Sequence, residues 1–210
     1  SSVETRIDLE EVRRHTKELV ETKNIKALAV CFLHSYINPS HESAVVNLVQ
    51  NEFPNLYVSS SSDVYPNMRE FERWTTTAIN AYTRPMIDQY LAKLEKDLEG
   101  LGFKGQLYIM TSSGGMLSPI TARRFPVRLL ESGPAAGMLM SAVQGRTLKL
   151  PNILSFDLGG TTAKGALVRN YKPLKSEQME VDRVNEARKG SGFPLRIPVL
   201  DMIEIGSGGG

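Results

Sequence analysis

Hydrophobic positions recur along this chain at two spacings, and the alternation between the two lays out its elements. Asp8 precedes a partial apolar stripe of Leu9, Val12, Leu19 and Val20, which predicts a capped helix ending near Lys23. The continuous apolar run from Ala27 to Leu33 then reads as a buried strand. A turn at Asn38-Pro39-Ser40-His41-Glu42 opens a second helix with Ala44, Val45, Leu48 and Val49 inward, and Leu56 to Ser60 gives a second short strand. Helical spacing returns from about Met68 to Leu98, with Phe71, Trp74, Ala78, Ile79 and Tyr82 before Pro85 and Ile87, Leu91, Leu94 and Leu98 after it. Pro85 should break or kink that helix, because it lacks an N–H and crowds the preceding turn. A strand from Leu107 to Met110 follows, and Glu131-Ser132-Gly133-Pro134 leads into a helix through Ala135 to Val143, with Pro134 suited to its first position. Two apolar runs flank the turn at residues 157 to 162 and predict a hairpin. A polar loop from Asp182 to Gly192 then precedes an apolar strand from Leu195 to Ile205. Helix, strand, helix, strand in this order suits an α/β fold, a parallel sheet with helices packed on it.

Composition narrows the picture without supplying chemistry. With 210 residues, 41% of them hydrophobic and 23% charged, the chain can bury a sizeable core in one large or two small domains. A formal net charge of +2, with Lys and Arg dispersed, argues against a nucleic-acid partner. The single cysteine, Cys31, cannot form an intrachain disulfide, and its apolar surroundings predict a reduced, buried thiol. No run of about 18 apolar residues is present, so no membrane span is expected and the expected compartment is the cytoplasm. His15, His34 and His41 lack metal-ligand spacing, and Ser113 and Ser132 have neither a nucleophile elbow nor an assignable base.

The chemistry concentrates in Ile153-Leu-Ser-Phe-Asp-Leu-Gly-Gly-Thr-Thr-Ala-Lys-Gly-Ala-Leu-Val168. Gly159 and Gly160 permit backbone conformations closed to other residues and bring main-chain N–H groups near an anion, and Thr161 and Thr162 add hydroxyl donors. Asp157 would repel a bare phosphate, so the pairing makes sense when Mg²⁺ sits between the two, with Asp157 as its protein ligand. Lys164 either contacts phosphate as a point charge or is a solvated strand residue. The competing reading of the whole turn is an ordinary Gly-Gly hairpin with a solvated acid at its mouth. Two further loops carry glycine: Ser113, Gly114 and Gly115 at a strand's C-terminal end, where ligands gather in open α/β sheets, and Ser132 and Gly133 at a helix N-terminus, which offers free N–H groups and positive dipole. Convergence of the three on one anion is the expectation. Arg69, Glu70, Glu72 and Arg73 stand at spacings that ordinary helix ion pairs explain. Thr75, Thr76, Thr77 and Asn80 make a polar face beside Trp74 and Tyr82, both expected to be buried, which suggests contact with a loop, a neighbouring domain or a ligand.

Five ordered segments resemble the hydantoinase/5-oxoprolinase family of the actin-like ATPase superfamily. They are Tyr65-Pro-Asn-Met-Arg-Glu-Phe-Glu-Arg-Trp-Thr-Thr-Thr-Ala-Ile-Asn-Ala-Tyr-Thr-Arg-Pro85, Met110-Thr-Ser-Ser-Gly-Gly-Met116, Glu131-Ser-Gly-Pro-Ala-Ala-Gly137, Phe156-Asp-Leu-Gly-Gly-Thr161 and Ile205-Gly-Ser-Gly-Gly-Gly210. The resemblance implies an actin-like (ribonuclease H-like) ATPase fragment with mixed sheets and packed helices. Residues 1–64 would complete the first actin-like domain, 65–150 would carry the glycine loops, and 151–210 would begin the second domain. The glycine-rich ending reads as the family's turn at this place or as a linker. ATP and Mg²⁺ are the implied cofactors and a small cyclic amide the implied substrate, opened at the expense of ATP. Related members carboxylate ketones, which leaves a carboxylase-subunit fragment and a catalytically inactive isolated domain as alternatives. Many relatives carry an acid where this chain has Lys164, a departure that bears on Mg²⁺ geometry. No catalytic base is assigned: by resemblance it lies in flanking domains or a second subunit. A sugar-kinase-like relative would share the phosphate hairpin but not the Arg-Glu-Phe-Glu-Arg-Trp-Thr-Thr-Thr segment.

Overall fold

In a computed structural model, residues 5–185 and 190–206 are described. Residues 1–4, Ser207 with the three glycines after it, and part of the polar loop that begins at Asp182 lie outside the described residues. The chain divides into two compact units, Ser1–Leu94 and Glu95–Gly210.

The first unit is an α/β layer. Helix α1 (Leu9–Lys23) starts where Asp8 accepts hydrogen bonds from the N–H groups of Glu10 and Glu11 at 2.9 and 3.1 Å, as the sequence predicts. Strand β1 (Ala27–Val30), helix α2 (Ser40–Glu52) and strand β2 (Tyr57–Ser60) follow, and the two strands pair in parallel with Ala27 opposite Tyr57. Val30, Val45, Val49, Leu56 and Val58 form the core, with Leu9, Val12 and Val20 of α1 packed against it. After a single turn, α3 (Ser61–Val64), comes the long helix α4 (Glu70–Gly100).

Helix α4 departs from its sequence reading twice. It runs through Pro85 unbroken, because contacts on both sides tie it to β2: the Arg84 guanidinium donates to the Val58 carbonyl and Tyr57 Oη to Asp88 at 2.9 Å. Its inward face is also polar. Arg73, Thr76, Thr77 and Asn80 are fully buried, whereas Phe71 and Tyr82 are 63% and 81% exposed. The hydroxyls satisfy themselves within the helix, Thr76 on the Glu72 carbonyl at 2.6 Å and Thr77 on that of Arg73 at 2.7 Å, and Asn80 donates to Ser59 at 3.0 Å. Arg73 does more than pair with Glu70: it also donates to Ser61 Oγ and to the Phe32 and Asn67 carbonyls at 3.1, 2.8 and 3.0 Å. Glu42, also fully buried, accepts from Ser61 Oγ and from the Phe32 and Ser62 N–H groups. The polar face therefore anchors the C-terminal ends of β1 and β2, where carbonyls and N–H groups left by the strands need partners.

In the second unit, β3 (Ile109–Met110) pairs antiparallel with β4 (Met116–Leu117), so the loop at 111–115 is a hairpin turn and not the C-terminal end of a parallel strand. Next come α5 (Pro119–Arg124), a 3₁₀ turn at Pro126–Leu129 and α6 (Ser132–Leu148), whose first residue lies two positions before Pro134. Strand β5 (Ile153–Leu158) turns into β6 (Ala163–Arg169), followed by β7 (Lys172–Pro173), β8 (Lys175–Ser176), β9 (Met179–Val181), β10 (Phe193–Leu195), β11 (Val199–Leu200) and β12 (Met202–Ile205). The single strand expected from Leu195 to Ile205 is thus three. The chain changes partner at each step, β10 pairing with β9, β11 with β8 and β12 with β6, and Pro198 between them has no N–H to continue a ladder. The main sheet has the order β12-β6-β5, with β7 beside β6. Ala135, Met138 and Ala142 of α6 pack on Ala166, Val168 and Leu200 of the strands.

Candidate nucleotide-phosphate site

The β5–β6 hairpin forms as the sequence predicts, with Asp157 opposite Lys164 and the Gly159 N–H closing on the Thr162 carbonyl at 2.9 Å. Neither Gly159 nor Gly160 adopts a left-handed backbone, so the reason for glycine here is space and not an otherwise forbidden conformation. A Cβ on Gly160 would meet nothing within 4 Å, as would one on Gly133. The turn is therefore open to an approaching ligand. Asp157, Gly159, Gly160 and Thr161 are exposed and Thr162 is half-buried.

Strand alternation decides which face each side chain takes. Ile153 and Ser155 lie on the α6 face of β5, since Ile153 packs with the α6 core and Ser155 Oγ lies 2.9 Å from Ser141 Oγ of α6. Two residues further on, Asp157 falls on that same face. Register then places Asp157, Lys164 and Glu204 in one row across β5, β6 and β12, with Lys164 in the middle. Lys164 donates to Glu131 at the start of α6 and lies 3.5 Å from Glu204, and its side chain is only 16% exposed. Burial opposes its charge, but hydrogen bonding and attraction from Glu131 and Glu204 outweigh that and raise its pKa, so the ammonium stays charged.

The other two glycine loops join the same neighbourhood through contacts the sequence did not single out. Glu131 caps α6 in a left-handed conformation, with φ of 60°, and turns its carboxylate to Lys164. Ser112, buried, accepts a hydrogen bond from the Leu200 N–H on its carbonyl at 2.8 Å and donates through Oγ to the Arg128 carbonyl at 2.8 Å and to that of Leu130, next to Glu131. Ser113 Oγ lies 3.0 Å from Thr111 Oγ1, and the Gly115 N–H donates to Thr111 Oγ1. Gly114 has φ of 83° and lies so close to α6 that a Cβ would sit 2.9 Å from Leu139 Cδ1. The loop at 111–115 thus bonds the Leu130 carbonyl next to Glu131, Glu131 pairs with Lys164, and Lys164 stands opposite Asp157 in the strand register. Two cavities lie elsewhere, one of about 450 Å³ between the end of α4 and Tyr108 and one of about 270 Å³ on the opposite face of the sheet.

A hard divalent cation prefers oxygen ligands, and Mg²⁺ commonly takes one or two carboxylates with phosphate oxygens and water. Among the described residues no cluster of three or more His, Cys, Asp or Glu side chains is placed to hold a metal, so Asp157 fits as a single protein ligand completed by a nucleotide and not as part of a preformed cage. Cys31 takes no part: burial chiefly, and the nearby Glu42 charge, push its thiol up to about 12. Among the described residues no helix is long and apolar enough to cross a membrane.

The Hydantoinase/oxoprolinase family model matches residues 73–210, and the model of that family's N-terminal region matches residues 1–53. An uncharacterised protein of Methanocaldococcus jannaschii is 38% identical over 96% of this chain and 30% of its own length. The caprolactamase subunit alpha of Pseudomonas jessenii is 27% identical over 90% of this chain and 26% of its length. The solved structure of the ATP-dependent caprolactamase from that organism superposes with a TM-score of 0.81 at 25% identity, covering 100% of this chain and 29% of that one. Nucleotide-free acetone carboxylase, described for ATP-dependent acetone carboxylation, gives 0.79 at 26% identity over 96% of this chain and 27% of that one. The mixed α/β architecture is thus that of an actin-like ATPase segment, and the chain spans under a third of the length of these relatives. A family-model match over residues 73–210, with the N-terminal-region model matching residues 1–53, places this chain in the hydantoinase/oxoprolinase family.

Proposed function

We propose that this chain supplies one wall of the nucleotide site of an ATP-dependent hydrolase that opens cyclic amides at the C–N bond. The observation that carries the reading is the shared sheet face: Asp157 lies on the side of β5 that faces α6, in the row whose middle residue grips the start of that helix. In this reading the open backbone of Gly159 and Gly160, the Thr161 and Thr162 hydroxyls, and the loops at Ser113, Gly114, Gly115, Ser132 and Gly133 surround the terminal phosphates of ATP. Asp157 holds Mg²⁺, which supplies neutralisation of phosphate charge when bound. The amide carbonyl oxygen takes the terminal phosphoryl group and ADP leaves; water then adds to the activated carbon, the C–N bond opens and phosphate departs. These residues position and stabilise charge; the base and amide pocket belong to other parts of the protein or to a second subunit, as the subunit naming of the caprolactamase relative suggests, in a cytoplasmic assembly.

A second reading, a subunit of an ATP-dependent ketone carboxylase, draws on the near-equal structural likeness to acetone carboxylase. Calorimetric titration with Mg-ATP should show binding that Asp157→Ala abolishes, and equal heats from the two proteins would count against the site. ADP release stimulated by lactams or 5-oxoproline, and not by a ketone with bicarbonate, supports the hydrolase; the reverse supports the carboxylase.

A further inference from the structure

Lys164 sits among three acids. Asp157 and Glu204 flank it across the strands, and Glu131 reaches it from α6. Glu131 and Glu204 both contact this one ammonium, so without it those two carboxylates would face each other unopposed, whereas Asp157 stands on β5, with β6 between it and Glu204. The lysine also connects two elements that backbone hydrogen bonds do not join here: the left-handed cap of α6 and the outer strand β12.

Resting on the nucleotide reading above, we propose that Lys164 is a positioning residue, an internal counter-charge that engages Glu131 and Glu204 so that Asp157 is the one carboxylate of the row left to a nucleotide-bound cation. Two glutamates are neutralised in part by one ammonium, and the start of α6 is held over the phosphate turn. Its ammonium is occupied by carboxylates, which sets it apart from a lysine that contacts phosphate. Deleting the charge should therefore do two things that simple loosening of the fold would not do together. It should weaken nucleotide binding, because a phosphate would then face an unopposed acidic row, and it should create affinity for a divalent cation where no nucleotide is present.

The test uses the purified protein, wild type and Lys164→Met, with Lys164→Gln as a second variant should the first fail to fold, and circular dichroism to verify folding. Mg-ATP affinity measured by calorimetry is expected to fall roughly tenfold in the neutral variants, about one decade in Kd. Mn²⁺ binding without nucleotide, read by water-proton relaxation, is expected to appear in the neutral variants and to be absent from wild type. Lys164→Arg should keep Mg-ATP affinity near that of wild type. Unchanged Mg-ATP affinity in a folded neutral variant, or no gain of nucleotide-free Mn²⁺ binding, overturns the proposal. If Asp157→Ala abolishes Mg-ATP binding while Lys164→Met leaves it intact, only this inference falls; if wild type binds no nucleotide, the nucleotide reading falls with it.

Discussion

Glu42 shows how a single residue can be mistaken in sequence and decisive in structure. At the start of α2 it resembles any first-turn acid, yet it is fully buried and its carboxylate collects Phe32 N–H, Ser62 N–H and Ser61 Oγ–H at 2.8, 2.8 and 2.6 Å. Burial works against its charge, but those hydrogen bonds outweigh it and hold the carboxyl below the ordinary carboxylate range. A group depressed in the folded state contributes stability above its unfolded value, and that contribution is lost as pH falls through the folded one. Glu42→Ala should cost about 3 kcal/mol at pH 7, since one buried and two half-buried donors lose their acceptor. The difference between wild type and variant should shrink below pH 4, a trend that urea titrations at both pH values will read. Arg73 shows the same illegibility: its spacing from Glu70 predicts a helix ion pair, which forms at 3.6 Å, but its bonds to Ser61 and to the Phe32 carbonyl reach segments 12 and 41 residues away.

At the scale of elements, α6 is the part that brings the candidate site together, and its glycines are not equivalent. A Cβ on Gly145 would sit 2.5 Å from Ile153 Cδ1 and 2.9 Å from the Leu150 carbonyl oxygen, whereas one on Gly137 would meet nothing within 4 Å. Helix interiors gain roughly 0.5–1 kcal/mol when glycine becomes alanine, but overpacking costs about 1–3 kcal/mol. Gly137→Ala should therefore stabilise the protein by about 0.5–1 kcal/mol and Gly145→Ala should destabilise it by about 1 kcal/mol, opposite shifts in denaturant midpoint. Helix α4 teaches the converse about elements. Its helical spacing was legible in sequence, but its continuity through Pro85 and the direction of its buried face were not. Apolar spacing pointed Phe71 and Tyr82 inward, whereas the buried positions are Arg73, Thr76, Thr77 and Asn80. Periodicity reports hydrophobic burial only, and here the helix meets strand ends that require polar partners.

Across the whole molecule, the β5–β6–β12 sheet has one face under α6 and one face bare. Leu154, Phe156, Leu158, Leu167, Ile203 and Ile205 are each at least 41% exposed and share that bare side by alternation. A contiguous apolar surface of this kind drives association. The 210-residue chain should therefore self-associate as its concentration rises, and Leu154→Ser with Phe156→Ser should suppress this in sedimentation equilibrium without lowering the denaturant midpoint. The amino-acid order alone determined the α/β class, the capped α1, the β5–β6 hairpin and the resemblance that the family match bears out, because these rest on local periodicity, capping and contiguous motifs. Only the tertiary structure decided that the 111–115 loop is a hairpin turn, that Glu131 and Glu204 take hold of Lys164, and that Asp157 shares a face with the start of α6. Those outcomes depend on register and on which carboxylate lies nearest in space, and no spacing along a single strand encodes the neighbours it will acquire from strands and helices that arrive later in the chain.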